Sequence, residues 1–115
     1  AGSYGIFAQA TSTISAIGAS CNNAGSYGIF AQVTSTINSF GASCSNAGTY
    51  GIYASSGSTV NANNITIQNQ TTGSARIFVS AGSYVVAQTI NTIGGTVPVF
   101  SQAVNTLTAN GIIYQ

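Results

Sequence analysis

Very few side chains in this 115-residue chain could take part in chemistry. It contains no Asp, Glu or His, and Arg76 carries its only formal charge. Glycoside hydrolysis usually needs two carboxylates, and serine catalysis needs a base such as His or Lys. Neither set of groups can be assembled from this sequence. We therefore expect no catalytic residues and no enzymatic activity in this chain.

The same scarcity bears on metals, cofactors and charged partners. Calcium sites need carboxylate oxygens, and structural zinc needs four Cys, His or acidic ligands, whereas this chain has two Cys. Nucleic acids and anionic membrane surfaces attract clusters of Lys and Arg. No apolar run approaches the ~20 residues of a membrane-spanning helix. We expect no metal, no cofactor, no nucleic-acid partner and no membrane insertion.

Cys21 and Cys44 are the remaining reactive side chains. Their separation equals the repeat period described next, which predicts that the two thiols stack as neighbours on one inward-facing column. Their Cα atoms would lie within disulfide range, but parallel side chains in register point alongside each other, which is poor geometry for the bond. The spacing favours two buried free thiols that behave as small hydrophobes, with a disulfide as the alternative.

An internal repeat dominates the sequence. Residues 1–23 and 24–46 differ at only five positions, a divergent third copy runs over residues 47–69, and weaker matches follow at offsets of 25 and 22. A leucine-rich repeat would need many Leu, and only Leu107 is present. Short runs of Ile, Val, Thr, Phe and Tyr broken by Gly, Asn and Ser indicate strands and turns. We predict one all-β domain over residues 1–115, a right-handed parallel β-helix (β-solenoid) of about five coils with a period of 22–25 residues, at about 1–23, 24–46, 47–70, 71–95 and 96–115.

Strand alternation assigns the columns of each repeat to the inside or the outside of the coil. Asn and Gly are expected at the corners, where a left-handed conformation is needed. The predicted inward columns are mostly aliphatic: Ile6, Ile29, Ile52, Ile77 and Val99 with Ala8, Ala31, Ala54 and Val79; Ile14, Ile37, Val60 and Val85 with Ala16, Ser39, Ala62 and Ala87; and Ala19, Ala42, Ile65 and Ile90 with Cys21, Cys44 and Ile67.

An aromatic stripe has the opposite parity. Its rings would lie outside and form an apolar patch larger than soluble monomers normally expose. We expect two further copies of the chain to cover it in a homotrimer. Stacking on sugar rings of a host surface polysaccharide is a second interpretation, and an inverted phase with the rings inside is a third. The stripe consists of Phe7, Phe30, Tyr53, Phe78 and Phe100.

Two weaker patterns remain. Residues 11–13 and 34–36 both spell Thr-Ser-Thr, which is similar to the threonine arrays of ice-binding β-solenoids, but the third copy has Gly57-Ser58-Thr59 there. Thr is common in strands for other reasons, so ice binding is the least favoured alternative. Arg76 is expected on the surface. Because it is the single tryptic site of a coil without long loops, we also expect native resistance to trypsin.

A family resemblance rests on the segments GIYASSGSTVNANNITIQN at 51–69 and NTLTANGIIYQ at 105–115. They resemble the C-terminal β-helical parts of tailed-phage tailspikes and tail fibres. The resemblance implies a trimeric segment that locks three chains together and ends the stack, in an extracellular virion tail that attaches to a host. Any receptor-binding or depolymerising site would then lie on coils upstream. Alternatives are a receptor- or polysaccharide-binding tip, a bacterial surface adhesin or a filament subunit, secreted or at the cell surface.

Overall fold

The computed structural model describes residues 4–70, 73 and 75–115, and within these ranges it contains strands, turns and no helix. No helix that could cross a membrane is therefore present in those ranges. The strands are short and regularly spaced. They are β1 (Tyr4–Ala8), β2 (Thr13–Ser15), β3 (Tyr27–Ala31), β4 (Thr36–Asn38), β5 (Tyr50–Ala54), β6 (Thr59–Asn61), β7 (Ile65–Thr66), β8 (Ile77–Val79), β9 (Ser83–Val86), β10 (Ile90–Asn91) and β11 (Gly111–Tyr114).

Three parallel sheets run along the stack. The first has the order β1-β3-β5-β8, the second β2-β4-β6-β9-β11, and the third pairs β7 with β10. Parallel bridges from Ser20 to Ser43 and from Ser43 to Thr66 extend the third sheet into the first coils. Each of the first four coils thus contributes one segment to each sheet, which confirms the predicted parallel β-solenoid. The last segment adds only β11 to the second sheet and a single bridge at Phe100 to the first, so the stack has about four turns.

The pairing register follows the repeat. Ile6 pairs with Ile29 and Ile29 with Ile52, so each residue lies one repeat period from its partner. The later coils are longer, since Ile77 follows its partner Ile52, and Ile113 its partner Val85, by more than that period. The strands stay aligned across these longer intervals.

The core lies where strand alternation places it. Ile29, Ile37, Ile52 and Ile65 have no exposed surface, and the alanine, cysteine and valine columns beside them are buried too. The first coil has a neighbouring coil on one side only within the described residues, so Ile6 and Ile14 pack against the core but stay partly exposed. The predicted inward aliphatic ladders are confirmed for the first four coils.

The last member predicted for the first inward column, Val99, is wrong by one residue. Ile77 pairs with Phe100 rather than continuing to Val99 as an inward neighbour, and Phe100 is half-buried against the core. The chain reaches this point through a corner with Gly94 and Gly95 at φ of 72° and 78°, followed by Pro98. A one-residue shift exchanges the two faces of a strand. The shift places the larger ring over the open end of the core.

Left-handed corner residues recur at the repeat period. Asn23, Asn46 and Asn69 have φ of 61°, 57° and 59°, as expected for a residue that tolerates this conformation. The Asn46 side-chain amide also donates to Asn23 Oδ1 at 3.1 Å. These stacked asparagines return the chain from the third sheet to the first.

Candidate functional site

The aromatic face is the outer surface of the first sheet. It carries two parallel columns of rings rather than the single predicted stripe. We define it by the tyrosine column Tyr4, Tyr27 and Tyr50, the column Phe7, Phe30 and Tyr53, and Phe78, which is in register with Tyr53 but stacks its ring on Tyr50. Phe100 is not part of this face, because the shifted last segment turns its ring toward the core.

A glycine bend explains why Tyr27 and Phe30, three residues apart in the sequence, share one face. A Cβ atom on Gly28 would clash with Cys44 Cβ, so this position points inward, and the following Ile29 is fully buried in the core. Two consecutive inward positions place the flanking rings outside together. Strict alternation misses the tyrosine column; the glycine that follows each tyrosine is the signal that could have revealed it.

The rings stack along each column. Phe30 lies 5.0 Å from Phe7 and 5.0 Å from Tyr53 between ring centroids, with interplanar angles of 13° and 9°. Tyr27 lies 5.4 Å from Tyr4 and 5.6 Å from Tyr50 in near-parallel stacks. Between the columns the rings meet at steep angles, 65° for Tyr27 and Phe30. Both arrangements are favourable aromatic geometries.

Because the two columns pack together, the rings cover one another. Phe30 is only 7% exposed, whereas Phe7 and Tyr4 in the first coil are 38% and 39% exposed. The face is therefore far less open than a row of free rings would be. Within the second and third coils the ring faces are occupied by neighbouring rings, and ring edges are what remains for solvent or a partner. Flat stacking of a sugar would need free ring faces.

The two thiols lie inside the coil. Cys21 and Cys44 are 3% and 0% exposed, both are free, and the Cys21 thiol donates to the Ser43 carbonyl at 3.3 Å. A hydrogen bond with Cys21, together with burial, raises the pKa of the Cys44 thiol well above its usual value. The hydrogen bond from Cys44 lowers the pKa of Cys21 against the opposing effect of burial. The thiolate is the reactive form of cysteine, so Cys44 is a poor nucleophile here.

Arg76 is buried, and the expectation of a surface position is wrong. It is 6% exposed and stands where the preceding coil has Gly51, since Ile52 N donates to the Arg76 carbonyl. Its guanidinium donates to the carbonyls of Ile67 at 3.0 Å and Gly94 at 2.5 Å. The carbonyl oxygens of Ile67, beside the third sheet, and of Gly94, in the following coil, thus hold the only formal charge of the chain inside the stack, where it bridges neighbouring coils.

The threonine array is one column wide and three residues long. Thr13, Thr36 and Thr59 align on the outer face of the second sheet, but the next residue in the column is Tyr84. Thr11 and Thr34 lie in a corner with φ of 66° and 58° instead of continuing the array. This arrangement is too small for the flat threonine surface that ice binding requires.

No part of the structure that is described contains a cleft that could enclose a small molecule. The surface features that could meet a partner are the aromatic face and the two ends of the coil stack. Comparison with known proteins gives no match: no family model, no curated protein and no solved structure matches the chain.

Proposed function

We propose that this chain is a structural module, a rigid β-solenoid segment of an elongated protein such as a phage tailspike or tail fibre, without catalysis of its own. The observation that carries the proposal is the interior of the stack. Aliphatic ladders fill it, and Ile29, Ile52 and Ile77 have no exposed surface. Close-packed interiors of this kind resist compression, which suits a segment that transmits force or holds a fixed length.

Backbone hydrogen bonds between coils support the same role. Asn23 N donates to Ser45 O at 2.9 Å and Asn46 N donates to Gln68 O at 3.0 Å, so even the corners are tied to the coil below. Side chains add to this, since the Gln70 amide accepts from Ala47 N at 3.0 Å and donates to Ala47 O at 2.7 Å. A stack tied at its strands and its corners has few places to open locally.

The trimer belongs to this proposal through the family resemblance and the aromatic face. Tyrosines are enriched at protein interfaces because a ring edge packs while the hydroxyl forms a hydrogen bond. Tyr27 and Tyr50 present such edges on the first sheet, partly exposed. In the proposed trimer the partner chains cover these tyrosines, whereas Phe30 is already covered within its own chain.

The mass of the chain in solution tests the proposal. We expect sedimentation equilibrium to give three times the mass of one chain, which is 11.5 kDa, and a polysaccharide array to show no specific binding. Tyr27→Arg should weaken association while leaving the coil folded by circular dichroism. A stable monomer at micromolar concentration would remove the trimer from the proposal. Tight binding to one glycan would instead make the chain a receptor-binding tip.

A further inference from the structure

The fold brings the two cysteines of the chain together on one inward column. A parallel bridge between Ser20 and Ser43 puts Cys21 in register with Cys44, and Cys21 N donates to Ser43 O at 2.8 Å. Both side chains are buried, and their thiols form a hydrogen bond with each other. Two sulfur atoms from adjacent coils therefore face each other inside the stack.

The spacing of the two thiols suits a metal ion better than a disulfide. Stacked coils lie about 4.8 Å apart, and side chains in register keep that separation. A disulfide needs its sulfurs about 2.05 Å apart, so the column works against this bond. Metal–thiolate bonds are about 2.3 Å long, and two of them in line span about 4.6 Å, close to the coil spacing. The stacked pair thus offers an ion two sulfurs from opposite sides.

The surroundings of the pair limit the number of ligands to two. Gly5 and Gly28 of the first sheet lie against the Cβ atoms of Cys21 and Cys44, so no side chain reaches the thiols from that strand. The chain contains no other Cys and no Met, His, Asp or Glu. Calcium and structural zinc need more ligands than this. The argument against those two ions does not extend to an ion that binds two sulfurs in line.

The charge balance of the core favours a singly charged ion. The hydrogen bond from Cys44 lowers the pKa of Cys21, whereas the same hydrogen bond and burial raise the pKa of Cys44. An ion M⁺ that replaces the Cys21 proton forms a bond to the Cys21 sulfur, and the Cys44 sulfur donates a lone pair while it keeps its proton. One proton leaves as one positive charge enters. The site stays neutral, so no unpaired charge is buried.

We propose that Cys21 and Cys44 form a buried two-coordinate site for a soft monovalent cation of the Cu(I) or Ag(I) class. Thiolate ligands select soft ions of this kind. The bound ion takes the place of the proton between the two sulfurs and links residues 4–23 to residues 24–46. The aliphatic core around the column, which includes Ile29 and Ile67, keeps water and competing ligands away from it. This inference goes beyond the proposed structural role.

Ag(I) in chloride-free buffer is the probe, because it carries one charge and needs no reductant. The whole chain is refolded from urea with the ion present, so burial of the thiols does not prevent its entry. Native mass spectrometry should show one ion per chain. X-ray absorption should show two sulfur neighbours and no nitrogen or oxygen neighbour. Saturating Ag(I) should also raise the urea midpoint, since the folded chain holds both ligands in place.

Variants separate this site from ordinary thiol reactivity. In competition with thiosulfate, Cys21→Ser and Cys44→Ser should each bind Ag(I) at least about a hundredfold more weakly, because a second ligand on the same scaffold adds this much affinity. Cys44→Ala removes the same ligand without burying a hydroxyl group and should match Cys44→Ser. Ile37→Val changes the core but keeps both thiols, and it should bind as tightly as the original chain. Circular dichroism checks that each variant is folded.

Three results would overturn the inference. The first is two ions per chain, one on each thiol. The second is equal affinity in the original chain and in the single-cysteine variants. The third is a urea midpoint that falls when Ag(I) binds, because the ion would then prefer the unfolded chain. None of these readouts depends on trimer formation or on glycan binding, so the outcome is separable from the test of the proposed function.

Discussion

The rings of Phe7 and Phe30 stack with their centroids 5.0 Å apart, yet one is 38% exposed and the other 7%. Both residues occupy the same position of nearly identical sequences. Of these two residues, only Phe30 has a second ring, that of Tyr53, stacked on its other face within the described part of the chain. Comparing substitutions at Phe7 and Phe30 therefore shows how much a second stacked ring stabilises the coil, because the local sequences are nearly identical.

We expect Phe30→Ala to lower the free energy of unfolding by about 3 kcal/mol, because it removes a buried ring and leaves a gap between two stacked rings. Phe7→Ala should cost about 1 kcal/mol, since much of its ring is already in water. Urea denaturation of both variants measures the difference. Equal costs would mean that stacking within the aromatic face contributes little.

Gly28→Ala is expected to destabilise the protein by about 2 kcal/mol or more, because the new Cβ would clash with Cys44 Cβ and lie 2.7 Å from Gly51 O. The matched control is Gly41→Asn. Gly41 has φ of 72° with open space around its Cβ position, and Asn64 stands at the equivalent place with φ of 59°. This control should change stability by less than about 0.5 kcal/mol. Thermal unfolding distinguishes the two, and a tolerated Gly28→Ala would contradict the inward glycine column.

Thr34→Gly is expected to stabilise the protein by about 1 kcal/mol, because a left-handed conformation costs an L-residue roughly 1–2 kcal/mol that glycine avoids. Thr34 is β-branched and has φ of 58°, and the equivalent residues in later coils are Gly57 and Gly82. Thr36→Gly, in strand β4, is the control and should lower stability. A lower urea midpoint for Thr34→Gly would show that the corner is not strained.

Trypsin should leave the folded chain intact for hours and cut the unfolded chain once, after Arg76. The side chain is 6% exposed, and its backbone is held on both sides, with Arg76 N donating to Pro98 O at 2.9 Å and Arg76 O accepting from Ile52 N at 2.8 Å. Mass spectrometry of digests with and without urea checks this. Rapid appearance of fragments 1–76 and 77–115 without urea would indicate local opening of the corner.

The free energy of unfolding should fall at alkaline pH, partly because the Tyr27 hydroxyl loses its proton. Burial and the neighbouring Tyr53, Tyr4 and Tyr50 raise the pKa of Tyr27 above its usual value of 10.0. The folded state then holds this proton to higher pH than the unfolded state, so the contribution is complete below about pH 10 and is lost as the pH rises through the folded pKa. Urea midpoints at pH 8 and 11 should differ less in Tyr27→Phe than in the original chain. Identical differences would remove Tyr27 from the effect.

The ladders were predictable because their information is local. Ile29 and Ala31 recur one period later as Ile52 and Ala54, and their spacing of two residues places both members of each pair on the same strand face. The asparagine corners were predictable for the same reason, since Asn46 and Asn69 tolerate a conformation that few residues adopt.

Three features depend on contacts between coils and escaped prediction. The tyrosine column faces outward because Gly28 packs directly against Cys44, which no strand rule contains. Phe100 turns inward because the corner before it shifts the register by one residue. Arg76 is buried because the carbonyls of Ile67 and Gly94 converge on it from two coils. Partners of this kind are set by the stack, not by the neighbouring residues in sequence.

The in-register pairing of the first two coils, residues 4–23 and 24–46, has a consequence for the gene. Two nearly identical stretches that encode complete coils can recombine unequally, and the product gains or loses one whole coil while every remaining strand keeps its partner type. Neighbouring coils are the only ones that touch in such arrays, so most of the protein is unaffected by the change. The height of the stack can then vary between lineages in steps of about 4.8 Å, without any new sequence having to arise.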